Sequence, residues 1–521
     1  MEVSRHMTER MKEKKSIKNS VGRACFVALS LILQVGWLVN TVSSAGKYFQ
    51  FAAIGVQLLA MVAVVAIYSQ NRSSASKMSW IVLILLFPVL GLLLFLLVGQ
   101  PWATKTMRLR FENVGRKLND LLPQRGEAVK ELETLDPGAA AQMRYLQDWC
   151  QYPAYRNTQV EFHAQTDAAF EALKAELKKA KKFIFMEYHA IELSECFMEI
   201  EEILAERAKA GVEVRLFYDD VGSFAFINPR FVQRMEKLGI QCQVFNPLLP
   251  FISAFMNNRD HRKITVIDGC VGFTGGYNLA DEYFNVKSPY GHWKDTGILL
   301  RGDAVRSLTV IFLEMWNAAK IKDADYSRYI EPVAKLPEAE GYVQPYADTP
   351  LDDERVGENV YLNLLKNARK YVWITTPYLI LDEEMIQELT LAAKRGVDVR
   401  IITPGIPDKK LVYQLTRSYY AQLVKCGVRI FEYTPGFLHA KQMLADDCTA
   451  VVGTINLDYR SLYLHFENAV LLHRCPAIAD IRRDFEDTFP LCREVTEEYR
   501  GKRKVKTRIV QSLLRLFAPL L

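Results

Sequence analysis

Nine cysteines are spread through 521 residues and none has CxxC spacing, which removes the usual signs of a thiolate zinc site and of a disulfide framework. Dispersed thiols suit a reducing compartment better than an oxidising one. No group of Asp and Glu shows the spacing of a cation site, so neither a metal nor another cofactor is expected. A concentrated excess of one charge is also missing. The net charge is only +6, so the surface as a whole is not built to hold nucleic acid. No short small-residue cleavage site follows the first apolar segment, and further apolar segments come after it, which argues against a removable secretion signal.

The first hundred residues, by contrast, hold three long uncharged stretches, Ala24 to Gly46, Tyr48 to Asn71 and Met78 to Thr104. A bilayer-crossing helix needs roughly 20 apolar residues, which the second and third supply. Gln34 and the run Asn40 to Ser44 weaken the first. We therefore expect N-terminal transmembrane helices, two or three in number, and a multi-pass location in a cell membrane. Residues 1–23 carry seven Lys or Arg against three Glu, which favours a cytoplasmic N-terminus. Three full spans would put the remainder outside. Two spans, with the first stretch lying in the interface, would return it to the cytoplasm, the arrangement we expect. At the other end, residues 501–521 carry six basic residues and no acid, with Ile509, Leu513, Leu516 and Phe517 at helical spacing. That is a basic amphipathic helix suited to anionic lipid.

After Trp102 the chain reads as α/β, and it repeats itself. Ala180-Lys181-Lys182-Phe183-Ile184-Phe185 is echoed by Ala368-Arg369-Lys370-Tyr371-Val372-Trp373. Likewise Ala210-Gly211-Val212-Glu213-Val214-Arg215 is echoed by Arg395-Gly396-Val397-Asp398-Val399-Arg400, a helix ending at Gly and entering a strand each time. A long unit present twice implies two similar domains, each a sheet flanked by helices. The expected division is a basic segment 1–23, a membrane region 24–104, a first domain 105–322, a Pro-rich linker 323–358, a second domain 359–500 and the C-terminal helix 501–521.

Each copy continues into one motif, H-x-K-x-x-x-x-D. It reads His261, Lys263, Asp268 in the first half and His439, Lys441, Asp446 in the second. A Gly follows fourteen positions after each His (Gly275, Gly453) and an Asn seventeen after it (Asn278, Asn456). The residue beside the Gly is Gly276 in one copy and Thr454 in the other. On an extended strand residues i and i+2 share a face, so each His and Lys project together. An imidazole, an ammonium and an amide converging twice suit a phosphodiester, with a nucleophile or proton from His and charge and donors from Lys and Asn. The turn-adjacent Asp268 and Asp446 also fit local backbone bonding. The other histidines, His6, His163, His189, His292, His465 and His473, lack such a set and read as structural.

These paired motifs resemble the two HKD signatures of the phospholipase D superfamily. The phrases from His261 to Gly269, Gly275 to Tyr283, Thr434 to Lys441 and Val452 to Ser461 are similar to bacterial cardiolipin synthases, chiefly those of Gram-positive type, and the likeness runs from the second hydrophobic stretch to about Leu491. The resemblance implies two half-domains building one active site, a membrane partner and phosphatidylglycerol as substrate, and no nucleic acid. It implies transfer of a phosphatidyl group between alcohols through a phosphohistidine, with His261 as nucleophile and His439 as general acid/base. By position in the family pattern, Asp295 and Glu467 are the acids that orient the histidine of the opposite half, ordinary surface ion pairs being the other reading. A membrane-bound phospholipase D that hydrolyses its lipid, or a transferase using another lipid alcohol, would carry the same residues.

Overall fold

A computed structural model describes residues 32, 34–36, 47–70, 73–99, 105–122, 126–223, 230–247, 258–320, 323–331, 337, 339–501 and 505–520. The basic segment expected over 1–23 lies outside them, as does most of the first hydrophobic stretch.

The first half begins with strand β1 (Thr158–His163) and continues with β2 (Phe183–Tyr188), β3 (Glu213–Asp219), β4 (Gln241–Phe245), the short β5 (Arg259–Asp260), β6 (Lys263–Ile267), β7 (Val271–Gly275), the short β8 (His292–Lys294) and β9 (Gly297–Gly302). The second half follows with β10 (Tyr342–Asp348), β11 (Tyr371–Thr375), β12 (Asp398–Pro404), β13 (Arg429–Tyr433), the short β14 (Gly436–Leu438), β15 (Gln442–Ala445), β16 (Thr449–Gly453), β17 (His465–His473) and β18 (Cys492–Glu494). The two sheets have matching orders, β1-β9-β7-β6-β2-β3-β4 and β10-β17-β16-β15-β11-β12-β13-β18, so the internal repeat is a repeat of topology.

Local chemistry sets the matching turns. Helices Glu195–Lys209 and Glu383–Lys394 end at Gly211 (φ +91°) and Gly396 (φ +94°). Val212 and Val397 then donate their N–H groups back to Arg207 and Ala392, each at 3.1 Å. This closure needs a left-handed residue, which glycine adopts without a Cβ clash. The apolar alternation of the strands buries a shared core. One cluster joins Phe185, Ile264 and Val266 of the first sheet to Val343, Leu444, Val470 and Leu472 of the second, through the almost wholly buried helix Val305–Ala319. The halves therefore stand on one common layer.

Two expected boundaries shift. The linker placed over 323–358 contains β10, whose residues pair with β17 from Tyr342↔His473 to Asp348↔Glu467. Pro345 is tolerated there because β10 is the edge of its sheet order. Helices Glu127–Leu135 and Pro137–Asp148, expected in the first domain, bury Val129, Leu132, Met143 and Leu146 with Tyr346, Val360 and Leu365 of the second half.

In the N-terminal region the second stretch is helical as Lys47–Tyr68, with side chains described for residues 51 and 53–68. The third is divided into Ser74–Leu86 and Pro88–Val98, since Pro88 has no N–H to continue the ladder. Among the described residues no helix is long and apolar enough to cross a membrane. The C-terminal segment does form a helix, Val505–Phe517, with Arg515 over the Tyr419 ring at 4.1 Å and Ile509, Val510 and Leu513 exposed.

Candidate active site

The short strands cross between the halves. β5 leads into His261 and pairs in parallel with the start of β17, while β14 leads into His439 and pairs in parallel with β8. The His261 N–H donates to the Phe466 carbonyl (2.8 Å) and the His439 N–H to the Lys294 carbonyl (2.7 Å). Each histidine is thus held by the backbone of the opposite half. One residue beyond each of those carbonyls stands a carboxylate.

The His261 Nδ1 donates to both oxygens of Glu467 at 2.9 Å, and the His439 Nδ1 donates to Asp295 Oδ2 at 2.6 Å. Both acids are fully buried. With Nδ1 carrying the proton, each Nε2 keeps its lone pair, as a nucleophile or base requires. Lys263 Nζ donates to the carbonyl of His261 (2.6 Å), and Lys441 Nζ lies 2.7 Å from His439 Nδ1 and also reaches the His439 carbonyl.

Burying this many like charges moves their pKa values. Burial first, and then the charges of Lys263, Lys441 and His439, hold the His261 pKa well below the usual imidazole range. Burial and Lys441 push His439 down to about 4, with Asp295 opposing them. Desolvation lowers Lys263 to about 8 and Lys441 to about 7. Asp295 moves down even though burial alone would raise it, because Lys441 and His439 outweigh that cost. The site thus sets two neutral imidazoles beside two lysines, a combination suited to an anion.

The remaining motif residues separate into two groups. Asn278 accepts from the Ala190 N–H (3.1 Å) and donates to the Tyr283 hydroxyl (2.8 Å), and Asn456 donates to Asp458 (3.0 Å). Both are buried, and each amide has a second hydrogen that can be donated. Gly275 and Gly453 are sites of close backbone approach. A Cβ on Gly275 would lie 2.4 Å from the Thr296 carbonyl oxygen, and one on Gly453 2.5 Å from Ala469 Cα.

Asp268 and Asp446, placed in the catalytic set by the motif, do not join it. They follow β6 and β15 at the ends remote from the histidines, and each clamps the entry to a strand. Asp268 accepts the N–H groups of Lys181, Lys182 and Phe183 at 2.8, 2.7 and 2.9 Å. Asp446 does the same for Arg369, Lys370 and Tyr371 at 2.6, 2.8 and 2.9 Å. The repeated A-[KR]-K-[FY] segments are the partners of the motif's own aspartates. Asp268→Ala should therefore lower stability by about 2 kcal/mol, seen as a fall in Tm, while kcat/KM of the folded enzyme stays within about threefold. A hundredfold loss of kcat/KM at unchanged Tm would put the carboxylate back in the chemistry.

Two histidines read as structural stand beside the site. The His189 and His465 rings lie against His261, with centroids 4.9 and 5.5 Å away. For His465 the signal in the sequence is position. His465 lies two residues before Glu467 and matches Trp293, two before Asp295, whose ring packs on His439 at 5.3 Å. Thr454, whose hydroxyl meets Glu467, is matched by Gly276, where a Cβ would come within 2.0 Å of Asp295. His261, His465 and Glu467 bring possible ligand atoms within 4.8 Å of one another. The neighbouring lysines oppose a cation there.

Two half-domains that exchange short strands, each supplying a histidine and a lysine to one site and a carboxylate to the other's histidine, define a phospholipase D-like enzyme. The comparisons narrow this. The family described as "Cardiolipin synthase, PLD-like domain" matches residues 173–316 and 361–489, and a "Phospholipase_D-nuclease N-terminal" family matches residues 58–100. A cardiolipin synthase of Geobacillus kaustophilus is 34% identical, covering 87% of this chain and 90% of that one. Cardiolipin synthase 1 of Bacillus cereus is 33% identical, covering 95% and 98%. The crystal structure of phosphatidylserine synthase from Haemophilus influenzae Rd KW20 shares the fold, with a TM-score of 0.53 at 15% identity over 73% of this chain and 98% of that one. The chain belongs to the cardiolipin synthase family and is an enzyme of the phosphatidyltransferase, phospholipase D type.

Proposed function

We propose that the protein joins two phosphatidylglycerol molecules into cardiolipin with release of glycerol. The observation that carries the reading is the crossed pairing of His261 with Glu467 and His439 with Asp295. It gives one phosphate a nucleophile and a proton carrier from different halves. In the first step His261 Nε2 bonds to phosphorus as the bond to glycerol breaks, and His439 supplies the proton that the glycerol oxygen takes. In the second, His439 removes the proton from a hydroxyl of another lipid, whose oxygen bonds to phosphorus as the P–N bond breaks. Lys263, Lys441, Asn278 and Asn456 bind the phosphoryl oxygens. The bound anion also favours the protonated imidazole that burial and the lysines disfavour.

The N-terminal helices hold the enzyme at its substrate. Leu58, Leu59, Val62 and Val65 of Lys47–Tyr68 are exposed, an apolar surface suited to lipid rather than water. Membrane confinement concentrates the acceptor where water competes poorly. We place the catalytic unit on the cytoplasmic side, in keeping with eight free cysteines among the described residues.

Purified protein given labelled phosphatidylglycerol alone should yield cardiolipin and glycerol in equal amounts. Phosphatidic acid as the main product would make the protein a hydrolase instead.

The lysine pKa values set a pH dependence. Each ammonium is charged below its pKa and neutral above it, so the free enzyme loses positive charge at the site as pH rises through about 7 to 8. Expected is a fall in kcat/KM above that range, with the alkaline limb of kcat displaced upward because the bound phosphate stabilises both ammonium groups. A kcat/KM that stays flat to pH 10 would contradict this.

A further inference from the structure

The halves share a topology, but the surroundings of their histidines do not match. His261 stands among imidazoles, whereas His439 stands among aromatic rings. Tyr283, Trp293 and Phe437 surround it with centroids 5.4, 5.3 and 5.8 Å away. From Phe437 the aromatic line continues outward to Tyr378 at 6.3 Å. Over the Tyr378 ring, 5.3 Å from its centroid, stands Lys409 Nζ. A continuous track therefore leads from the proton-transferring histidine to an ammonium whose side chain is 65% exposed.

On the reading proposed above, the acceptor differs from water, and from free glycerol, in a charge that a site can recognise. It carries its own phosphodiester, a glycerol bridge away from the hydroxyl that His439 deprotonates. Lys263 and Lys441 are engaged with the phosphate under attack, so this second anion needs a cation of its own at the mouth.

We propose that Lys409, carried on the Tyr378 ring, forms a second phosphate subsite that binds the phosphodiester of the acceptor lipid and directs transfer to an anionic lipid alcohol. Tyr378 donates its hydroxyl to Asp408, which orients the ring beneath the lysine. The ion pair of Lys409 with Asp408 is long, at 3.7 Å, so the ammonium can turn to a stronger partner. Lys409 is also the N-cap of helix Lys410–Val424, whose first turn has no acidic residue and no side-chain cap, so the helix adds attraction for an anion.

The test compares two acceptors for one donor. With phosphatidylglycerol vesicles, cardiolipin formation measures transfer to an anionic lipid alcohol. Incorporation of labelled free glycerol into phosphatidylglycerol measures transfer to an uncharged alcohol through the same phosphoenzyme. Lys409→Glu should lower the ratio of the first rate to the second by about tenfold or more, and Lys409→Ala by less. Lys409→Arg, which keeps the charge, should hold the ratio near that of the unsubstituted enzyme. Equal loss of both rates in Lys409→Glu would overturn the proposal, as would an unchanged ratio. An unsubstituted enzyme that exchanges glycerol but forms no cardiolipin would instead refute the synthase reading itself.

Discussion

Changing His261 or His439 to alanine is expected to lower kcat by roughly four orders of magnitude or more, because on the proposed mechanism each removes a bond-making or proton-moving atom that no neighbour replaces. The two variants should differ in what they trap. His439→Ala keeps the nucleophile, so it should accumulate a covalent lipid on His261, slowly and only to the extent that glycerol leaves without an acid. His261→Ala should trap none. Quench-flow with labelled phosphatidylglycerol, followed by mass spectrometry of the His261 peptide, reads the difference directly. A covalent lipid found on His439 in the His261→Ala protein would reverse the assigned roles. His189, whose Nδ1 meets the Asp260 carbonyl at 2.7 Å, and His465, 3.7 Å from the same Glu467 that holds His261, are not expected to take over the chemistry.

The second large effect comes from groups that never touch phosphorus. Glu467→Gln and Asp295→Asn preserve shape but replace an acceptor by an amide that can also donate to Nδ1. That donation would place the imidazole proton on Nε2, the nitrogen that must be free. The substitution also removes the negative charge that partly offsets Lys263 and Lys441, which lowers the imidazole pKa further. A fall of about 1,000-fold in kcat is expected for each, with KM little changed. The accompanying signature is the tautomer, read as a change in the nitrogen shifts of a labelled His261 or His439 by NMR. Losses below about tenfold would show that the crossed carboxylates merely fill space. An unshifted tautomer would remove the mechanism proposed for them.

Much of this arrangement could be read along the chain. The repeat was visible in A-K-K-F and A-R-K-Y and in the paired Gly-Val turns, because each belongs to a few consecutive residues whose conformation is set locally. The motifs lay fully in view for the same reason. Residues at i and i+2 on a strand share a face regardless of what surrounds the strand. Legibility failed where one residue type serves two purposes. Asp268 and Asp446 stand in the motif as if catalytic, yet their carboxylates bind backbone at the far strand ends. Gly275 and Gly453 stand in the motif without a stated reason for glycine, and only the fold shows that each makes room for a neighbouring strand. Position in the repeat could have shown that His465 is the counterpart of Trp293, but not that its ring rests on His261.

Strand periodicity, helix caps and the doubled H-x-K pattern are properties of short segments, so the amino-acid order alone settled the α/β class, the two halves and the identity of the four central side chains. The resemblance to a family added the orienting acids. Which partner faces which is another matter. His261 and Glu467 are 206 residues apart, and their meeting depends on β5 joining β17 and β14 joining β8 across a shared core. The same long-range assembly moved β10 and helices Glu127–Leu135 and Pro137–Asp148 into the second half, and set imidazoles beside one histidine and aromatic rings beside the other. Such contacts arise from apolar surface buried between distant segments, and nothing local in the chain records where that surface will close.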